Sequence, residues 1–245
     1  MPIANSDEIV INGNLENSAE KIVWLSHLDG TTNRLIDSAH IGKNQSFSFR
    51  MKVNDAGFYV LASKRNDYAI LIARMGETVF VKGDADNLAS TWTATGSDET
   101  KRYLEYWKFT RKQLKRVDSL TFVFRNSHMN PEYLTTRIKL DSIFNTIMDK
   151  QHDEATRFIN KNPGSLASLL VLQAKFSSLP LFNEERDINY FKLLDSCLSK
   201  SNKNTKIVYD FHKRVQIILR KSKNHQDNNG ILPPGDLNPS YIPSH

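Results

Sequence analysis

At Gly96-Ser97 the hydrophobic period of this 245-residue chain changes. Upstream, apolar side chains recur at every second position in short runs, as a half-buried strand requires. The clearest case is Gln45-Ser46-Phe47-Ser48-Phe49-Arg50-Met51, where Phe47, Phe49 and Met51 fall on one face. Downstream, apolar residues recur three and four apart over long stretches, the signature of amphipathic helices. A chain with this switch is expected to fold as an α+β protein in two parts. These are an N-terminal antiparallel β-sandwich over about 7–95 and an all-α helical domain over about 97–222.

Strands are predicted over 8–14, 20–26, 33–39, 45–51, 58–64, 68–73, 78–82 and 90–94. Asn12-Gly13-Asn14, Asp29-Gly30, Asn54-Asp55-Ala56-Gly57 and Met75-Gly76-Glu77 supply turns between them. Ser97 is a candidate N-cap, with Asp98 and Glu99 in the following turn where the helix dipole favours acids. Its helix carries an apolar stripe from Tyr103 to Phe124. A second helix is expected from Asn130-Pro131, with a stripe that includes Leu134, Ile138, Ile143, Phe144, Ile147 and Met148. Asn162-Pro163-Gly164 ends it, and Ser165 caps a third helix to about Ser177. Further helices are expected over 184–198 and 205–221. From about 223 to 245 the sequence turns polar and then proline-rich, a linker or tail.

The charge is unevenly divided. Residues 1–96 carry 9 Lys+Arg against 11 Asp+Glu, whereas 97–222 carry 23 against 14, a net of +9. The helical part therefore holds the excess. Lys108, Arg111, Lys112, Lys115 and Arg116 fall at helical spacing on one face, with Trp107 and Leu114 turned the other way. Two readings are open: a stripe that binds anions or an acidic partner, or the solvated outer face of an amphipathic helix. No aromatic side chains are interleaved on the basic face to stack bases, which argues against nucleic acid.

Motifs for chemistry are sparse. The chain has no GxxxxGK[ST], GxGxxG, HExxH or GxSxG. Its seven histidines are not paired at metal-ligand spacing, and His152-Asp153-Glu154 are neighbours that point apart on a helix. The one cysteine, Cys197, rules out a disulfide within the chain and a CxxC centre, and it is expected in the core. No cofactor, metal site or catalytic residue is expected, and no segment has the roughly 20 apolar residues of a membrane span. Met1-Pro2-Ile3-Ala4 lacks the basic and apolar regions of a signal peptide.

The order of these signals resembles the thioredoxin-like (TlpA/ResA-type) cell-envelope proteins of Bacteroidetes. Those carry an uncharacterised β-domain and a helical segment ahead of the thioredoxin fold. Ile9-Val10-Ile11-Asn12-Gly13-Asn14-Leu15 is similar to the family's first strand, and Ile22-Val23-Trp24-Leu25 to its second. The most specific likeness is Leu35-Ile36-Asp37-Ser38-Ala39 followed by Gly42-Lys43 and Phe47-Ser48-Phe49. Thr95-Gly96-Ser97 with Tyr103-Leu104 resembles the entry to the helices, and Phe158-Ile159 to Asn162-Pro163 the later turn. Pro234-Gly235-Asp236 to Tyr241 is similar to the entry of the thioredoxin domain itself.

The resemblance implies a periplasmic or envelope location. It also implies a non-catalytic accessory module that positions or recognises protein partners, among them an attached thioredoxin-like domain. The chain would then be the front portion of a longer redox protein or a relative that lost its redox domain. Two alternatives stand beside this reading: an anion-binding module working through Lys108–Arg116, and an enzyme whose site is assembled from distant residues.

Overall fold

A computed structural model describes residues 4–18, 21–29, 32–127, 131–202 and 205–228. Seven strands come first: β1 (Glu8–Glu16), β2 (Ile22–Asp29), β3 (Thr32–His40), β4 (Ser46–Lys52), β5 (Gly57–Lys64), β6 (Asp67–Ala73) and β7 (Thr78–Asp84). They are followed by the short helix α1 (Leu88–Thr91) and β8 (Thr93–Thr95). One sheet runs β4-β1-β7-β8 and the other β3-β2-β5-β6. All pairings are antiparallel except β1 with β7, because the chain crosses to the second sheet and returns between them. The inner faces meet in a dry core of Ile9, Ile11, Phe49 and Val81 against Val23, Leu25, Leu61 and Leu71. Gly13 admits the ring of Phe47 across β1. A Cβ there would lie 2.3 Å from that ring and 2.7 Å from the carbonyl of Val81.

The helical part holds α2 (Asp98–Asn126), α3 (Tyr133–Lys161), α4 (Leu166–Leu172), α5 (Ile188–Ser201) and α6 (Lys206–Asn228). Between α4 and α5 sits a hairpin, β9 (Lys175–Phe176) with β10 (Leu179–Pro180). The third helix thus stops short of the expected Ser177. Ser177 and Ser178 adopt left-handed φ values of 48° and 72° and turn the chain back. The predicted strand at 90–94 is instead α1 followed by β8. The second long helix begins at Tyr133, with Pro131 in the preceding turn; Asn130 lies outside the described residues. The last helix runs on to Asn228, past the expected end near 221, since no Gly or Pro intervenes. The rest of the expected tail, 229–245, lies outside the described residues. Cys197 is half-buried on α5 and not in the core, because Leu194 and Leu198 take the inward positions beside it.

The two parts share one continuous apolar core. Their joint is polar and specific. Gly96, at φ +90°, brings the chain so close to β7 that a Cβ would stand 1.9 Å from the Thr78 carbonyl oxygen. Ser97 then caps α2, accepting from the Thr100 N–H, and its hydroxyl donates to the Ile72 carbonyl at 2.6 Å. Thr100 donates to the same carbonyl at 2.7 Å and accepts the Ile72 N–H at 2.8 Å. At Ile72 the outer edge of β6 is therefore satisfied by the start of a helix. Glu99, 4% exposed, accepts from Arg74 at 3.2 Å, Arg102 at 3.4 Å, the Ala167 N–H at 3.1 Å and the Ser165 hydroxyl. One carboxylate thus ties the sandwich to the N-terminus of α4.

Glu99→Ala is expected to lower unfolding free energy by about 2 kcal/mol or more, since it leaves buried donors unpaired. Glu99→Gln, which keeps an acceptor, is expected to cost less. Urea unfolding of the three proteins checks the order.

Candidate functional site

Helices α2 and α3 form a long antiparallel hairpin, each about 44 Å at 1.5 Å per residue. Near the sandwich they pack tightly. Gln151 of α3 donates to the Tyr106 and Thr110 hydroxyls of α2 at 2.8 Å each, and Tyr106 lies 5.5 Å from the ring of Phe158. Beyond this the hairpin stands clear. Between Val117 and Ile147, Ser127 alone among the described residues is buried. Phe122, Leu134 and Ile138 are each 70% exposed, and Val123 and Ile143 are exposed too. The predicted apolar stripe of α3 is therefore fully buried only from Ile147 onward, with Phe144 partly buried against the core before it. Leu134 and Ile138 lie on the flank of the helix, turned away from the seam with α2.

Five cations were singled out from sequence. Lys108, Lys112 and Lys115 stand exposed on the outward face of α2. Arg116 is exposed too but donates to Gln113 at 3.0 Å, and Arg111 is half-buried. Among the described residues none of the five makes an ion pair, although Glu105 and Asp118 lie within a turn of them. Phe122 falls seven residues after Lys115, so it continues the same face. The spacing that marks the stripe also marks Phe122; only its exposure was illegible.

The sandwich offers a second surface, the edge strand β3, with eight of nine residues exposed. A bulge interrupts its pairing with β2 between Leu25 and Ser26, and Asp37 stands opposite inward-facing Leu25. Bulges and inward charges hinder the addition of another strand.

Where α2 and the β9-β10 hairpin cross the outer face of the β3-β2-β5-β6 sheet, they enclose a cavity of about 350 Å³. Phe58, Trp92, Tyr103, Tyr106 and Trp107 supply aromatic walls, Gln151 lies in the lining, and Lys175 is its one charged residue. Burial pushes the Tyr106 phenol up to about 12 and that of Tyr103 higher still. Sequence reasoning missed this site. Its residues come from sheet, helices and hairpin at separations with no motif. Among the described residues no group of His, Cys, Asp and Glu is placed to hold a metal ion, and no helix is long and apolar enough to cross a membrane.

Residues 9–103 match a family described as Domain of unknown function (DUF4369). That stretch, an uncharacterised domain, runs from β1 through the first turns of α2 and takes in Ser97, Glu99 and Thr100. No curated protein matches the chain.

If the outer half of the α2–α3 hairpin is free surface, Leu134→Ser and Ile138→Ser are each expected to change stability by less than about 0.5 kcal/mol. Ile147→Ala, at a fully buried position, is expected to cost about 2–5 kcal/mol. Thermal or urea unfolding of the single variants separates the two classes.

Proposed function

We propose that this chain is a non-catalytic recognition module of a thioredoxin-like (TlpA-type) cell-envelope protein, acting in the periplasm or on the envelope. It holds a protein partner on the α2–α3 hairpin. One observation carries this reading: Lys108, Lys112, Lys115 and Phe122 lie along one outward face, all exposed and with no acidic partner among the described residues. Apolar side chains left in water at the end of a well-packed helix pair mark an interaction surface. The cations beside them select a partner whose apolar patch is rimmed by carboxylates. A binding role is further supported by the cavity lining, which offers no carboxylate, imidazole or thiol as acid, base or nucleophile. Burial keeps the Tyr103 and Tyr106 phenols protonated, so neither supplies a base.

A photo-crosslinking residue at Ser119, on the hairpin face, is expected to capture a partner from envelope extract. The same residue at Ser48, on the sandwich surface, is not. Capture is expected to fall at least about tenfold in Phe122→Ser and in Lys112→Glu/Lys115→Glu, the loss of one anchor or of a charge pair. Equal capture from both positions, or capture indifferent to those variants, refutes the assignment.

The three unpaired lysines also favour a second reading, binding of polyanions such as heparin or acidic lipid headgroups. In that case Lys112→Glu/Lys115→Glu loses retention on heparin while Phe122→Ser keeps it, and binding declines steeply with salt.

A further inference from the structure

Helix α6 carries a surface that shares no residue with the α2–α3 hairpin or the cavity. Its inward side is set by Val208, Phe211, Val215 and Ile218, all buried. Directly opposite run Lys206, Tyr209, Lys213, Ile217 and Arg220, spaced three and four apart and all exposed. Along this ridge, about 21 Å at 1.5 Å per residue, cations and apolar side chains alternate. Tyr209 is 55% exposed and Ile217 53%. A helix packed on a core ordinarily keeps such side chains off its outer face.

The charges along the ridge are not equally engaged. Lys206, at the root, pairs with Asp210 and lies 3.9 Å from Asp29, and its backbone N–H donates to Asp55. Neighbouring Arg214 turns aside to Glu184. Lys213 and Arg220 make no ion pair among the described residues. The Lys213 ammonium instead stands over Tyr209, 4.3 Å from the ring centroid. At its root the ridge meets the sandwich. Tyr209 lines one open hollow with Arg34 and Ile36, and Ile36 is 38% exposed at the bulge of β3.

We propose that this ridge rests on an anionic lipid bilayer, with α6 lying in the plane of the headgroups. Lys213 and Arg220 pair with lipid phosphates, while Tyr209 and Ile217 enter the layer beneath. Tyrosine suits that depth, because its ring is apolar and its hydroxyl reaches water. The lysine and arginine stems are apolar too, so their heads stay among the phosphates as the helix settles. Nucleic acid fits the same charge less well. Bases stack on open aromatic faces, whereas Lys213 covers one face of Tyr209 and Ile217 has no ring. An acidic protein would have to repeat carboxylates and apolar groups in the register of the ridge. A fluid bilayer offers both at every point.

Cosedimentation of the full chain with vesicles tests the assignment. Binding is expected to mixed phosphatidylglycerol–phosphatidylcholine vesicles and not to phosphatidylcholine alone, and it is expected to decline as salt rises. Lys213→Glu/Arg220→Glu is expected to weaken it at least about tenfold, and Tyr209→Ser/Ile217→Ser about tenfold. All four residues are exposed, so neither variant opens the core. Lys112→Glu/Lys115→Glu, on α2, is expected to leave vesicle binding unchanged, which separates this ridge from the hairpin face. The proposal is overturned if anionic vesicles do not carry the protein down, or if phosphatidylcholine alone does so equally. It is overturned too if the α2 variant weakens binding as much as Lys213→Glu/Arg220→Glu, or if Tyr209→Ser/Ile217→Ser leaves it intact. Binding to a DNA duplex that exceeds binding to the anionic vesicles assigns the ridge to nucleic acid and likewise overturns it.

Discussion

At Ile72 the edge strand β6 meets a helix instead of another strand, and the rest of the molecule is arranged around that contact. The Ile72 N–H and C=O are taken by the hydroxyls of Ser97 and Thr100. Both residues belong to the start of α2, so the direction of that helix is set by the sheet edge it seals. Gly96 makes the approach possible, because no side chain fits between the turn and Thr78. Glu99, between the two hydroxyl residues, reaches the N-terminus of α4. A free carboxylate is expensive to bury. It is tolerated here because two guanidinium groups, a hydroxyl and a backbone N–H surround it. Capping the Ile72 backbone at the sheet edge and linking two layers are thus done by the first turn of one helix.

That joint explains how much of the fold was legible. Period-2 runs such as Phe47-Ser48-Phe49 report directly on which face is inward, and both phenylalanines are buried. Ser97 as a cap and the acids after it announce α2 on local chemistry alone. Shorter elements escape such reasoning. Helix α1 has four residues, too few for a period to show, and the β9-β10 turn is built on Ser177-Ser178 where glycine or asparagine is the usual signal. The stripe on α3 was visible, yet Leu134 and Ile138 are exposed. An amphipathic pattern says which face is able to be buried, but the covering surface must come from elsewhere in the chain.

The candidate sites divide along the same line. The basic face of α2 is a local property, readable from spacing, and the structure adds that it continues into exposed Phe122. The cavity is a non-local one. Tyr106 and Gln151 are 45 residues apart, and Trp92 directly follows a helix that local patterning does not reveal. No spacing rule relates them; only the crossing of α2 over the sheet does.

The stability of that crossing bears on both surfaces. If α2 were held to the sandwich by apolar contact alone, the aromatic walls at its root would close on one another to recover dispersion contacts. The Ser97 and Thr100 hydroxyls and the Glu99 carboxylate fix the N-terminal turns of the helix at the sheet edge, and the Gln151 bonds fix the spacing of α2 from α3. Polar bonds have directional requirements that dispersion lacks. They hold the root of α2 at a set height above Phe58 and Ile70 while the outer half of the same helix projects beyond the core. A cavity at one end of α2 and an uncovered face at the other are therefore two consequences of one anchored helix that is longer than the surface it crosses.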